Sequence, residues 1–206
     1  MESSSHEIPD QRHGAKKDLK HSFTAESVDD AEEFFIIAKD RLLDVNKWDK
    51  TADSASATFC LTDHQGRELH RKAHKDDYIR INIPGPGAET GGGYDWVRIE
   101  AIVYDDYPDE NSESIVMQVR PAQSPVDGHP SVAHFFTDEA TSTFDMERHG
   151  KMLIARYYGR NEIPNTDTES VTDTIRNTAV AAGAMLGLSE VQWGGLLRGF
   201  LSFDEE

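Results

Sequence analysis

The sequence predicts an α+β fold in which a curved antiparallel sheet of about six or seven strands wraps around a long C-terminal helix. Three observations carry that expectation. A series of short segments in the middle of the chain alternates apolar and polar residues with period two. No helical period interrupts the series, so successive strands pair antiparallel, since parallel strands need crossover connections. Apolar residues at three- and four-residue steps mark helices before the series and after it.

Residues 1–20 mix Ser, His, Pro, Gly and Lys without apolar periodicity and read as a disordered arm, followed by a single domain over 21–206. A short strand is expected at 21–26. Ser27 or Asp29 then caps a helix with acidic residues in its first turns, where they complement the helix dipole. Its apolar face runs through Phe34, Phe35, Ile37, Ala38, Leu42 and Val45, and the helix breaks before Trp48-Asp49.

Strands are expected at 58–62, after which a turn at 63–66 leads into 67–70, and at 78–83, with three isoleucines on one face. The segment 96–103 puts Val97, Ile99, Ala101 and Val103 on one face, and 115–120 groups Ile115, Met117 and Val119. Thr143–Glu147 turns at His149-Gly150 into Lys151–Tyr158. Thr166-Asp167-Thr168-Glu169 has the spacing of a capping box and opens a long helix with Val171, Ile175, Ala179, Ala182 and Leu186 on one face. Gly187 is expected to end it, and Ser189 to cap another through Trp193, Leu196, Leu197, Phe200 and Leu201.

The 206 residues hold 38 acidic and 21 basic side chains, a formal net charge of -17. That balance repels phosphate backbones, and no basic stripe with interleaved aromatics offsets it, so neither nucleic acid nor an anionic membrane surface is an expected partner. The longest nearly uncharged stretch, 178–188, is too short to span a bilayer, so no membrane insertion is expected. One cysteine, Cys60, cannot form a disulfide within the chain, and the N-terminus lacks a secretory pattern. A reducing, cytoplasmic setting follows as the expectation, with Cys60 a small buried side chain in a strand.

The glycine-rich stretch 84–93 contains two prolines and is followed by a strand, and Glu89 and Asp95 flank it. A phosphate cradle needs free backbone amides at a helix start, so a hairpin loop is the better reading. His64, His70, His74, His129 and His134 show no metal-ligand spacing, and no metal or other cofactor is expected. His134, flanked by Phe135 and Phe136, reads as a core histidine or as a polar group in a pocket. Arg98, Glu100, Arg120, Arg156 and Tyr158 lie opposite the apolar stripes. They are outward charges paired across strands if that face meets water, and ligand-orienting groups if it lines a cavity. The polar linker 161–167 is expected to satisfy the amides at the start of the long helix.

The order strand, helix, uninterrupted strands and terminal helix, with Trp48-Asp49 near the entry to the second strand, resembles the helix-grip fold of the START-like and polyketide-cyclase superfamily from residue 21 onward. The terminal helix argues against the ketosteroid-isomerase-like cone, the next architecture in line. The resemblance implies a cavity between sheet and C-terminal helix, and the binding there of a small apolar or amphipathic molecule. Candidate ligand-binding residues are Trp96, Arg98, Arg120, His134, Arg156 and Tyr158; no catalytic residue can be assigned. Two alternatives follow. One is a cyclase or hydrolase on the same scaffold, with His134 and a buried carboxylate as acid and base. The other is an interaction protein forming a homodimer through residues 189–203, where Gly194, Gly195 and Gly199 would allow close contact.

Overall fold

The computed structural model describes residues 8–52, 57–83, 91–107, 111–126, 128, 130–165 and 185–203. Seven strands form one antiparallel sheet: β1 (Ala15–Thr24), β2 (Thr58–Thr62), β3 (Tyr78–Asn82), β4 (Asp95–Tyr107), β5 (Ser112–Pro121), β6 (Thr141–His149) and β7 (Met152–Glu162). Their order is β1-β7-β6-β5-β4-β3-β2, so β2 to β7 form a meander and β1 closes onto its last strand. Helices α1 (Val28–Leu43), α2 (Trp48–Thr51) and α3 (Met185–Phe200) supply the second layer. The expected sheet curved over a C-terminal helix is present.

Ser27, not Asp29, caps α1. Its Oγ accepts from the Asp30 N–H at 3.0 Å, and its own N–H donates to the Asp30 carboxylate at 3.1 Å, a reciprocal capping box. Ala31, Phe35, Ala38, Leu42 and Leu43 form the buried stripe that docks α1 on the sheet.

Order begins earlier than apolar periodicity indicates. β1 starts at Ala15, and residues 17–24 pair with 159–152 of β7. A backbone ladder needs no apolar alternation on an edge strand, which is why Lys16, Lys17, Asp18 and Lys20 are accommodated in it. The segment before β1 is held by Asn161, which adopts a left-handed backbone (φ 53). The Asn161 Oδ1 accepts from the N–H of Arg12 at 2.7 Å, and its Nδ2 donates to the Asp10 carbonyl at 3.0 Å. Asn161 therefore fastens the N-terminal segment instead of a helix start.

β4 departs from simple alternation. Ile99 pairs with Val119 but Ala101 pairs with Gln118, so Glu100 is the extra residue of a bulge. The bulge reverses the faces: Val97 and Ile99 point to the core, and beyond it Ile102 does so while Val103 is exposed. The expected common face for Val97, Ile99, Ala101 and Val103 is thus split in two. Residues 67–70 contribute a single bridge, Thr62 to Glu68, and no strand.

α3 runs without a break through Gly187 and Ser189. A mid-helix glycine costs about 1 kcal/mol relative to alanine, which packing of the helix can offset. The expected long helix beginning at Thr166 falls on 166–184, outside the described residues. Leu196, Leu197, Phe200 and Leu201 enter the same core as Phe35, Trp48, Ile99, Met117 and Phe144. Gly199 is what lets α3 approach α2: a Cβ there would stand 1.8 Å from the Thr51 carbonyl oxygen. The close contact anticipated for this glycine is made within the chain.

Candidate functional site

Between the apolar face of the sheet and α3 lies a cavity of about 70 Å³. Strand alternation builds its walls. Phe59 of β2, Ile79 and Ile81 of β3, Val97 of β4, Val119 of β5 and Phe144 of β6 all project from one face, and Trp48 and Trp193 cover them. Trp193 stacks on Tyr157 of β7 with centroids 5.3 Å apart and meets the edge of Phe144 at 5.5 Å.

Polar groups enter from β6 and β7, from the loop at His134 and, on α3, at Gln192. Ser142 and Tyr157 share a hydroxyl–hydroxyl hydrogen bond of 2.9 Å at the cavity wall. Burial drives the Tyr157 hydroxyl far above the ordinary tyrosine range, and the neighbouring Glu162 carboxylate adds to the effect. Tyr157 is therefore a neutral hydrogen-bonding group at any physiological pH. Burial raises Glu162 as well, against the opposing pull of Lys17, Tyr157 and Arg160.

His134 is carried by a loop rather than a strand. The loop is anchored on both sides. The Trp96 N–H donates to the Ala133 carbonyl at 2.7 Å, and the Asn165 Nδ2 donates to the carbonyls of Val132 and His134 at 3.1 Å each. Asn165, expected to serve a helix start, thus positions the histidine. The His134 Nδ1 accepts from the Phe136 N–H at 2.9 Å, which in the neutral ring leaves the proton on Nε2. Its ring stacks on Phe135 at 4.1 Å.

Of the six candidate ligand residues, His134 lines the cavity and the others stand on the opposite face of the sheet. Trp96 is buried beneath the 130s loop and donates from Nε1 to the Gly91 carbonyl at 3.0 Å. Arg98 pairs with Asp76, and Arg120 with Glu100 at 2.7 Å and with the Asp138 carbonyl at 2.8 Å. Arg156 bridges Asp145 at 3.0 Å and Glu147 at 2.8 Å. The Arg160 guanidinium lies 5.2 Å from the centre of the Tyr158 ring. The three arginines thus belong to a charge lattice on that face, Arg120 and Arg156 paired across strands and Arg98 with the loop before β3.

Tyr157, Ser142, Trp193 and Gln192 are lining residues that sequence reasoning did not single out. Tyr157 had a usable signal, since it shares the parity of Leu153 and Ala155 in β7. Ser142 had none, because its role depends on the tyrosine across the β6–β7 ladder. Cys60, expected to be buried, is half-buried, and burial pushes its thiol up. Among the described residues no three His, Cys, Asp or Glu side chains converge as metal ligands would, and no helix is long and apolar enough to cross a membrane.

No protein-family model and no curated protein sequence matches the chain. Solved structures with a similar arrangement include protein Ms6760 from Mycobacterium smegmatis, at 14% identity and a TM-score of 0.40, covering 96% of this chain and 99% of that one. Major latex-like protein 151 from Panax ginseng matches at 10% identity and 0.34, covering 84% and 97%. Truncated norcoclaurine synthase from Thalictrum flavum matches at 10% and 0.32, covering 89% and 95%. Likeness at these levels transfers neither ligand nor activity. What the strand order and the placement of α3 establish is a helix-grip topology, the arrangement the order of elements resembles.

Proposed function

We propose that the chain binds a small amphipathic molecule, inserting its apolar end between the sheet and α3 and holding its polar end at His134 or at the Tyr157–Ser142 pair. The supporting observation is an apolar space of about 70 Å³ with His134, Ser142, Tyr157 and Gln192 as the polar side chains in its wall. That space is several times the roughly 10–15 Å³ a single water needs, yet well below the pockets of about 300–1,000 Å³ that enclose drug-sized ligands. The expected ligand end is a single ring or a short chain. Titrating the protein with phenol, indole and hexanoate tests this through Tm and the fluorescence of Trp48 and Trp193. Saturable binding is expected, and Val119→Phe, which fills the space, should abolish it while leaving the fold intact. Equal response of the filled variant would remove the reading.

The alternative of a cyclase or hydrolase calls for a carboxylate that orients the His134 imidazole. Among the described residues that line the cavity there is no Asp or Glu to serve as that carboxylate. The binding reading is the better supported.

A further inference from the structure

The chain carries a formal charge of -17, yet the titratable side chains lining one of its clefts, among the described residues, are all basic. The cleft has a volume of about 790 Å³ and shares no residue with the apolar cavity. His21 of β1, Arg41 of α1, Lys50 of α2 and Arg198 of α3 face it, together with Thr51 and Ser202, and among the described residues no carboxylate side chain is in its walls.

Basic residues near helix ends often do no more than complement the dipole, and Arg41, Lys50 and Arg198 each lie in the last turn of their helix. That explanation accounts for Arg41. Its Nη1 donates to the carbonyls of Gly199, Phe200 and Ser202 at 3.1, 3.2 and 2.5 Å, so it caps α3 and shields the carbonyls that would repel an anion. It does not account for the others. A helix end carries only about half an elementary charge, so the convergence of Lys50 and Arg198 leaves an excess of positive charge. Lys50 and Arg198 are exposed and have no ion-pair partner among the described residues. His21 feels the excess directly: burial first, and Arg198 second, hold its imidazole below the usual histidine range.

We propose that this cleft is a binding site for a small multivalent anion, a phosphate or polycarboxylate group, held between Lys50, Arg198 and His21 with Arg41 as the positioning residue beneath it. The hydroxyls of Thr51 and Ser202 add neutral donors at its wall. The anion has two available sources, an external molecule and the acidic residues Asp204, Glu205 and Glu206 that follow in the chain. The external anion is the reading adopted, because three separate elements contribute the cations and only a multivalent group can engage them together.

The test is calorimetric titration with pyrophosphate and citrate at constant ionic strength, with the His21 ring followed by NMR. Saturable binding and an upward shift of the His21 pKa are expected. Lys50→Gln and Arg198→Gln, both exposed and remote from the core, should each weaken binding by about tenfold, as loss of a charge-assisted contact does. Neutralising the tail with Asp204→Asn, Glu205→Gln and Glu206→Gln should leave that affinity unchanged or raise it. If pyrophosphate acts no differently from chloride, or if both charge variants bind as the native chain does, the proposal fails. Binding that appears only in the tail-neutralised variant would show that the chain's own tail occupies the cleft, which also overturns it.

Discussion

The two faces of the same strands are built on opposite principles. On β6 and β7, Phe144, Met146, Leu153, Ala155 and Tyr157 turn inward to the helices, while Asp145, Glu147, Arg156 and Tyr158 alternate with them outward. The inward face is held by area removed from water, at about 25 cal/mol per Å², and by ring contacts among Trp48, Phe144, Tyr157, Trp193 and Phe200. The outward face is held by paired charges whose worth depends on how far the pair is taken out of water. The cavity falls on the inward side for the same reason, since an apolar space can exist only where side chains exclude water. The difference teaches that Asp145, Glu147, Arg156 and Tyr158 mark the face turned away from the apolar cavity, whereas Arg148, in step with Phe144 and Met146, is a buried charge that needs Glu113 and Glu32 to pair it.

The sharpest way to break the comparison is Phe144→Ala. The ring touches four other aromatics and is fully buried. Its removal should cost about 3–5 kcal/mol in urea unfolding. It should also enlarge the cavity, so the variant should accept a larger ring than the native chain does. A loss below about 1 kcal/mol would mean that the inward face is not the main source of stability.

Arg156→Leu probes the outer face at an enclosed group of charges. The side chains of Asp145 and Glu147 are only 13% and 12% exposed, and the variant leaves the two carboxylates beside each other without their shared cation. A loss of about 2 kcal/mol at pH 7 is expected, below the roughly 3–5 kcal/mol for a fully buried broken pair because Arg156 itself is 20% exposed. The loss should shrink at pH 5, where Asp145 takes up a proton.

That proton uptake gives the third prediction. Burial first, and Glu147 second, push Asp145 up to about 6 against the attraction of Arg156. A carboxyl raised in the folded state binds its proton more tightly there than in the unfolded chain. Its contribution is therefore fully present below about pH 4 and is lost as the pH rises through about 6. Glu147, held low chiefly by its hydrogen bond to Arg156 against the effect of burial, has the opposite sign: its contribution is lost as the pH falls. Asp145→Asn isolates the first term. The variant should exceed the native chain by about 1 kcal/mol at pH 7, and the advantage should vanish near pH 4. A constant difference across urea midpoints from pH 4 to 8 would contradict the assignment.

How much of this was legible in the sequence follows the same division. Period-two alternation located six of the seven strands, because inward apolar and outward charged residues leave that mark wherever one face is dry. For β1 the strand expected at 21–26 catches only its last four residues, because an edge ladder orders the lysines before them without an apolar pattern, and alternation failed at Glu100, where one inserted residue reverses the faces of β4. Gly187 looked like a helix end because propensity is local, whereas α3 is stabilised by distant partners such as Trp48 and Phe35. The cavity followed from topology, but its polar groups did not. His134 was visible as a histidine between aromatics; the Tyr157–Ser142 contact exists only once β6 and β7 are in register.

The smallest expected effect sharpens the comparison from its other end. Arg98 and Asp76 form an ion pair on the same outer face as Arg156, but their side chains are 50% and 57% exposed. Water screens both charges, and ordering two long side chains offsets much of the attraction, so Arg98→Gln should change stability by no more than about 0.5 kcal/mol. The native pair's small contribution should also disappear in about 1 M salt, where the screening length falls to about 3 Å. Arg156→Leu should keep most of its cost under the same salt, because its partners are shielded by protein rather than by ions. If the two variants respond to salt alike, burial is not what separates the strong pairs of this surface from the weak ones, and the charge lattice would have to be treated as one collective network.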